Sequence, residues 1–445
     1  MIILVALARV GDVTSYSAMF GYLPKLLHNF GQEWTDIGFY QGVVLALYMT
    51  AYVFSSLAVG RLIDRYGSRT IFVICVFSQA CVVCFASFTS STTWLYISAT
   101  LLGFSSAVNV VSKVIVYEIS DDSNQAYVYN FALSMPCNCS LFLGPALGGI
   151  LSFPTEQYPE LFPSNTILAS FPILLPNLLL SVMLFCLSLS AFIVFRYSET
   201  YSSDSIALEK TESSCFDNIE KKTYNKMNLV NFHMQPSVVV TNLIMIIYTL
   251  VTDGFQTLLG VWMQTPSILF GLGYSPRKSG LLMLISGSLL VVTDSLIVGK
   301  AIEKLGLKRG LIVSYSLFGF LVSLVWTVSR LHSTIWIFIL LTILLVLIRT
   351  SVSGVKVALF SYMNNMVPNH IRGRVISTRQ CISALAGIGA HPMAGSVFAW
   401  SLTNNNTISP DAYGFPLNFV FTFYLISIMS FAATFLTASL PDNAK

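Results

Sequence analysis

Long apolar runs alternate with short polar breaks along this chain, and the runs have the length of a membrane crossing. A hydrocarbon layer about 30 Å thick takes roughly 20 helical residues. Twelve stretches qualify: residues 2–27, 37–60, 70–91, 94–118, 125–152, 168–196, 236–264, 277–300, 309–330, 334–362, 373–401 and 415–438. The one long polar break, from Tyr197 to about Gln235, holds Glu199, Asp204, Glu209, Lys210, Glu212, Glu220, Lys221, Lys222 and Lys226, and reads as a flexible linker. It divides the runs six and six. The implied fold class is an all-α membrane protein of twelve transmembrane helices in two six-helix bundles, with bundles expected over 1–196 and 236–445 and a linker over 197–235.

Composition supports the same class, since 55% hydrophobic residues, 10% charged residues and a mean hydropathy of +0.72 leave too few charges to cover a soluble surface. A net charge of +4, scattered along the chain, excludes nucleic acid as a partner. Its placement orients the molecule. Sixteen of the 24 lysines and arginines fall on the side of the loops after the second and eighth runs, four (Lys25, Arg277, Lys278, Arg330) on the other, and four within runs. The positive-inside rule then makes those loops and both termini cytoplasmic. The membrane itself is left open between the plasma membrane and a vacuolar or other organellar one. Asn405-Asn-Thr407 is a glycosylation sequon on the opposite face.

The first run is a poor signal peptide, because Arg9 and Asp12 interrupt it and no basic segment precedes it. A short cytoplasmic leader is expected ahead of it. Eight cysteines are scattered, and the close pairs Cys81/Cys84 and Cys137/Cys139 have no histidine beside them, so they read as packing residues. No metal site and no cofactor are expected.

The two halves are related. Gly60-Arg-Leu-Ile-Asp64-Arg65-Tyr-Gly67-Ser-Arg69 returns 239 positions later as Gly299-Lys-Ala-Ile-Glu303-Lys-Leu-Gly306-Leu-Lys308. Both copies are charged, glycine-hinged loops suited to a latch that holds one access state and releases in another. Inside the runs, Asp12 corresponds to Asp253 and Lys113 to Lys356, at offsets of 241 and 243. One ionisable group at bilayer depth costs about 2.5–3.5 kcal/mol on insertion scales, which makes two matched pairs functional candidates. Secondary transporters are built from such repeats, with the binding site between them.

Helical spacing places Arg9, Asp12 and Tyr16 on one face of the first run, and Ser106, Asn109, Lys113 and Tyr117 on one face of the fourth. Arg349, Ser353 and Lys356 line a face of the tenth, and the seventh adds Asp253 and Gln256. If these faces share one cavity, desolvation and charge pairing compete to set each group's protonation, and a carboxylate there can exchange a proton in each cycle. Static pairing, for example of Arg9 with Asp12, is the alternative. Glu118 sits at the cytoplasmic end of the fourth run. Asp294, about one turn from Gly299, is read as reaching the interface or capping the second loop, and His391, beside Pro392, as packed or hydrogen-bonded. In the fifth run Ser140, Gly144, Pro145, Gly148 and Gly149 allow close backbone approach and a bend.

The first loop resembles the signature of the major facilitator superfamily, and Gly144-Pro145-x-x-Gly148-Gly149 resembles the antiporter motif of its drug:proton exchangers. Further stretches resemble the zinc-induced-facilitator-like group: Asp36 through Gly42; Gly144 through Pro154, with Tyr158-Pro159 and Phe171-Pro172; and Asn364 through Pro368 with Arg372-Gly373. Arg9 with Asp12, and Lys113 with Glu118, also fall where that group carries a base and an acid. The resemblance implies two rocking bundles that couple proton entry to export of a small organic solute or metal chelate. It also departs from that pattern: the arginine usual in the fourth span of proton-coupled members is replaced near Ala99 and Thr100, which turns the expected proton route to Asp12 and Glu118, and the linker lacks a histidine-rich stretch, with only His233 at its end.

The expected partners are therefore protons, a small-molecule solute and the lipid bilayer, with the protein a monomer. Import of an organic anion held by Lys113, Arg349 and Lys356 is the rival transport reading. A transport-dead receptor or scaffold is a further one. An enzyme is not expected, because no nucleophile and base stand at a recognisable spacing.

Overall fold

The computed structural model describes residues 1–119, 128, 130–163, 165–209, 235–331, 333–366, 372–404, 414 and 416–441. Among these, every regular element is a helix. In the first half they are α1 (Ile2–Ser17), α2 (Met19–Asn29), α3 (Ile37–Tyr66), α4 (Ser68–Ala86), α5 (Thr92–Ser105), α6 (Val108–Ile119), α7 (Met135–Leu151) and α8 (Leu174–Glu209). In the second they are α9 (Pro236–Gln264), α10 (Pro276–Thr293), α11 (Gly299–Leu305), α12 (Leu307–Val325), α13 (Thr334–Asn365), α14 (Arg372–Thr403) and α15 (Phe421–Ala438). α8 continues past Tyr197, so the start of the expected linker is helical. Asn405 lies outside the described residues.

Among the described residues, eleven helical segments are long and apolar enough to cross a bilayer. The remaining expected span, the eighth, is broken: α10 gives way to a π-helical turn, Asp294–Val298, before α11. Other spans are also interrupted. The first is interrupted at Ala18, between α1 and a helix holding Pro24, and the fourth at Ser106, between α5 and α6. The outer surface is apolar, with Ile335 72% and Phe435 79% exposed, as a lipid-facing surface requires.

The two repeated loops have the same backbone. Gly67 (φ 84°, ψ 151°) separates α3 from α4, and Gly306 (φ 79°, ψ 161°) separates α11 from α12. Left-handed φ favours glycine, which accounts for its return in both copies. Gly60 and Gly299 differ from expectation, because a Cβ added at either would meet nothing within 4 Å. No close helix approach depends on them in this state.

Contact between the halves runs mainly along α3 with α14 and α7 with α10, while α2 packs on α9 and α10. Both seams tighten at the end opposite the repeated loops. A Cβ on Gly38 would strike the Gly395 carbonyl, one on Gly42 would strike Pro392, and one on Gly149 would strike the Pro276 carbonyl. Within the first half, Gly144 and Gly148 lie against Ser17 and Ala18, so the glycine motif packs α7 on the α1–α2 junction as well as across the seam. Gly149→Leu, which forces side-chain volume between two backbones, is expected to cost about 1–3 kcal/mol of the closed arrangement. A cysteine placed near Trp34 would then label faster with a membrane-impermeant thiol reagent than it does without the substitution.

Candidate functional site

Two polar clusters emerge where the sequence suggested one. The first is enclosed in the first half, where the Arg9 guanidinium forms an ion pair with Asp12 three residues on, and both side chains are 6% exposed or less. The other Asp12 oxygen accepts from Gln79 Nε2 of α4 at 2.9 Å, while the Ser106 hydroxyl nearby donates to the Leu102 carbonyl at 2.9 Å. Asn109 donates to the Tyr52 hydroxyl at 2.8 Å. Lys113 turns to the partner half, its Nζ donating to Gln380 Oε1 at 3.1 Å.

The second cluster lines a cavity of about 220 Å³ between the halves. Tyr16, Asp253, Gln256, Arg349, Ser353 and Lys356 all border it, as i, i+3/i+4 spacing on α9 and α13 places them. The Asp253 carboxylate has no hydrogen-bond or ion-pair partner among the described residues, and no charged group stands against it. Tyr16 and Tyr248 are its closest titratable company. Arg349 Nη2 lies 3.1 Å from the Met283 sulfur, a weak acceptor. Lys356 Nζ reaches across the interface to Asn138 Oδ1 at 2.9 Å.

Asp294 is a correction to the sequence reading. It opens the π-helical turn and faces the cavity beside Ser353 and Lys356, with one carboxylate oxygen buried and unpartnered. Asn138, Tyr248 and His391 also border the cavity although spacing did not single them out for it. His391 is fully buried, as a packed residue would be. Its ring joins three spans, with Nδ1 2.7 Å from Thr257 Oγ1 and Nε2 3.1 Å from the Tyr16 hydroxyl. The Thr257 hydroxyl proton is spent on the Asp253 backbone carbonyl at 3.1 Å. Nδ1–H therefore donates to Thr257, and bare Nε2 accepts from Tyr16. One hydrogen-bonded line thus runs from α1 across the interface to the helix that carries Asp253.

Enclosed charges on two related halves, meeting at an interfacial cavity, are the architecture of a secondary transporter. The model of the family described as Major Facilitator Superfamily matches residues 5–391. The chain belongs to the Major Facilitator Superfamily. It is 26% identical over 400 residues to the protein ZINC INDUCED FACILITATOR-LIKE 1 of Arabidopsis thaliana, covering 86% of this chain and 81% of that one. It is 24% identical over 409 residues to the class H tetracycline resistance protein of Pasteurella multocida, covering 90% of each. In fold it is similar to a bacterial homolog of the human lysosomal transporter Spinster, in an inward-facing and occupied conformation, with TM-score 0.66 at 12% identity over 98% of this chain and 95% of that one. It is also similar to a D-xylose–proton symporter, with TM-score 0.64 at 13% identity over 100% and 99%.

As a transporter of the Major Facilitator Superfamily, the protein carries its repeated loops away from this cavity. Arg65 stacks on the Tyr66 ring at 5.3 Å, and Arg69 faces an outer groove beside α8. Gly60, Asp64 and Gly67 lie on or beside the end of α3, with Gly299, Glu303, Gly306 and Lys308 at the equivalent turn between α11 and α12. Glu118 is outside the cavity too. Its carboxylate accepts from the Ser68 hydroxyl at 2.6 Å, tying the end of α6 to the residue after Gly67. Among the described residues, no three histidine, cysteine, aspartate or glutamate side chains converge as metal ligands would.

Proposed function

We propose that this superfamily member is a proton-coupled exporter of a small organic solute or metal chelate, working as a monomer by alternating access. The bundles 1–196 and 236–445 rock about the interfacial cavity, with the repeated loops and both termini on the cytoplasmic side of a plasma or organellar membrane. The reading rests above all on Asp253, a carboxylate that borders the interfacial cavity with no cation against it. Solute and proton compete for that carboxylate: a proton arriving from the far side displaces the solute, and solute loading from the cytoplasm releases the proton. Arg349, Lys356 and Gln256 orient the solute's acceptor groups. The Arg9–Asp12–Gln79 cluster is a strut of the first half, because the two charges pair with each other and Gln79 holds the remaining Asp12 oxygen.

Arg349 favours a second reading, import of an organic anion, since its side chain bonds a thioether, a weak acceptor that an anion would readily replace. Purified protein in liposomes with an imposed pH gradient separates the two. Export coupling predicts proton flux only when a solute is present, with solute moving against the proton. Co-directional movement of an organic anion and protons would establish import, and no solute-dependent flux across cations, anions and chelates would overturn proton coupling.

A further inference from the structure

A groove of about 600 Å³ opens on the outer surface between α4 and α8. The two helices are tied together: the Ser181 hydroxyl donates to the Ala80 carbonyl at 2.9 Å, the Ser188 hydroxyl to that of Val73 at 3.3 Å, and the Phe77 and Phe185 rings meet at 5.8 Å. Its walls are apolar and turned outward, with Phe77, Phe185, Leu189 and Phe192 each about half exposed. At the end nearest the repeated loop, the groove is bordered by two guanidinium groups, Arg69 from the first turn of α4 and Arg196 from α8. Arg69 has no ion-pair partner among the described residues. Arg196 is steadied by the Phe192 ring, 5.8 Å away.

Two bases at one end of an apolar trough match the charge and shape of an anionic amphiphile. The distance also fits. From Phe185 to Arg196 a helix rises about 16 Å, close to the ~15 Å of hydrocarbon in one leaflet. We propose that this groove seats an anionic phospholipid of the bilayer, its phosphate between Arg69 and Arg196 and one acyl chain along Phe77, Phe185 and Leu189. Basic pockets between transmembrane helices at a membrane surface recognise such headgroups. The internal repeat supplies a control. Lys308 stands where Arg69 does, but Phe435 to Ser439, the stretch corresponding to Arg196, carries no base. The second half therefore has Lys308 and Arg309 side by side on α12 but no base facing them from α15, and no clamp.

Purified full-length protein in micelles doped with phosphatidylglycerol or phosphatidylcholine, followed by native mass spectrometry, tests this. Phosphatidylglycerol is expected to be retained about tenfold better than phosphatidylcholine. Combining Arg69→Gln with Arg196→Gln should reduce its retention to the phosphatidylcholine level, whereas Lys308→Gln should leave it unchanged. Leu189→Trp fills the trough while keeping both bases, and should also lower retention; it serves if the arginine variants fail to fold. Equal retention of the two lipids, undiminished binding in the double variant or in Leu189→Trp, or full displacement by inorganic phosphate would each overturn the proposal.

Discussion

Asp253→Asn is expected to abolish solute-driven proton movement in proteoliposomes while leaving the protein folded. Asparagine keeps the size and polarity of the side chain but cannot take up or release a proton in the transport cycle. No ion pair is broken, because none is made to Asp253 among the described residues. The unfolding midpoint should therefore stay near that of the unaltered protein. Proton flux should fall by more than about tenfold, the scale of losing a positioned proton-transfer group. Solute exchange between equal pools, which needs no net proton movement, should persist in the variant. Undiminished proton flux would remove Asp253 from the mechanism and return attention to Asp294, the other acid on the cavity wall. A carboxylate kept in a membrane interior against an insertion cost of about 2.5–3.5 kcal/mol is otherwise hard to rationalise.

Arg9→Gln should act on stability rather than on coupling. Arg9 and Asp12 are both enclosed, and removing the cation leaves a buried carboxylate with the Gln79 amide to satisfy it. Breaking a buried pair from one side costs about 3–5 kcal/mol. The expected result is a large drop in unfolding temperature in detergent and poor yield. The double variant Arg9→Met with Asp12→Leu removes both charges together and should recover most of that loss. If the double variant is stable and still couples solute to protons, the pair is a strut. If it is stable and uncoupled, Asp12 takes part in proton movement after all.

Much of this arrangement is written in periodicity. Asp253 and Gln256 on α9, and Arg349, Ser353 and Lys356 on α13, fall on single faces at helical spacing, and those faces meet the cavity. Gly67 and Gly306 recur because both turns require a left-handed backbone. Irregularity hides the rest. Asp294 begins a π-helical turn, which adds a residue and re-aims the side chains beyond it, so a 3.6-residue count assigns it to the wrong surroundings. Asn138 and His391 meet Lys356 and Tyr16 only because the halves close on each other, a juxtaposition that no local pattern encodes. Arg9 and Tyr16 share a face of α1, yet one turns into the first half and the other into the cavity. The interruption at Ala18 and the tight packing of α7 on it accompany that division.

The glycine seams separate the two ends of the molecule in kind as well as position. Where Gly38 meets Gly395 and Gly149 meets Pro276, backbone lies on backbone, and cohesion there comes from dispersion between close-packed atoms. The opposite end holds the charged repeats, whose mutual forces fade beyond about 8 Å in physiological salt. Ionic strength therefore bears chiefly on the repeat end, whereas at the other end close packing is joined by the Lys25–Glu156 ion pair and by the Arg277 guanidinium over the Tyr158 ring of the opposite half.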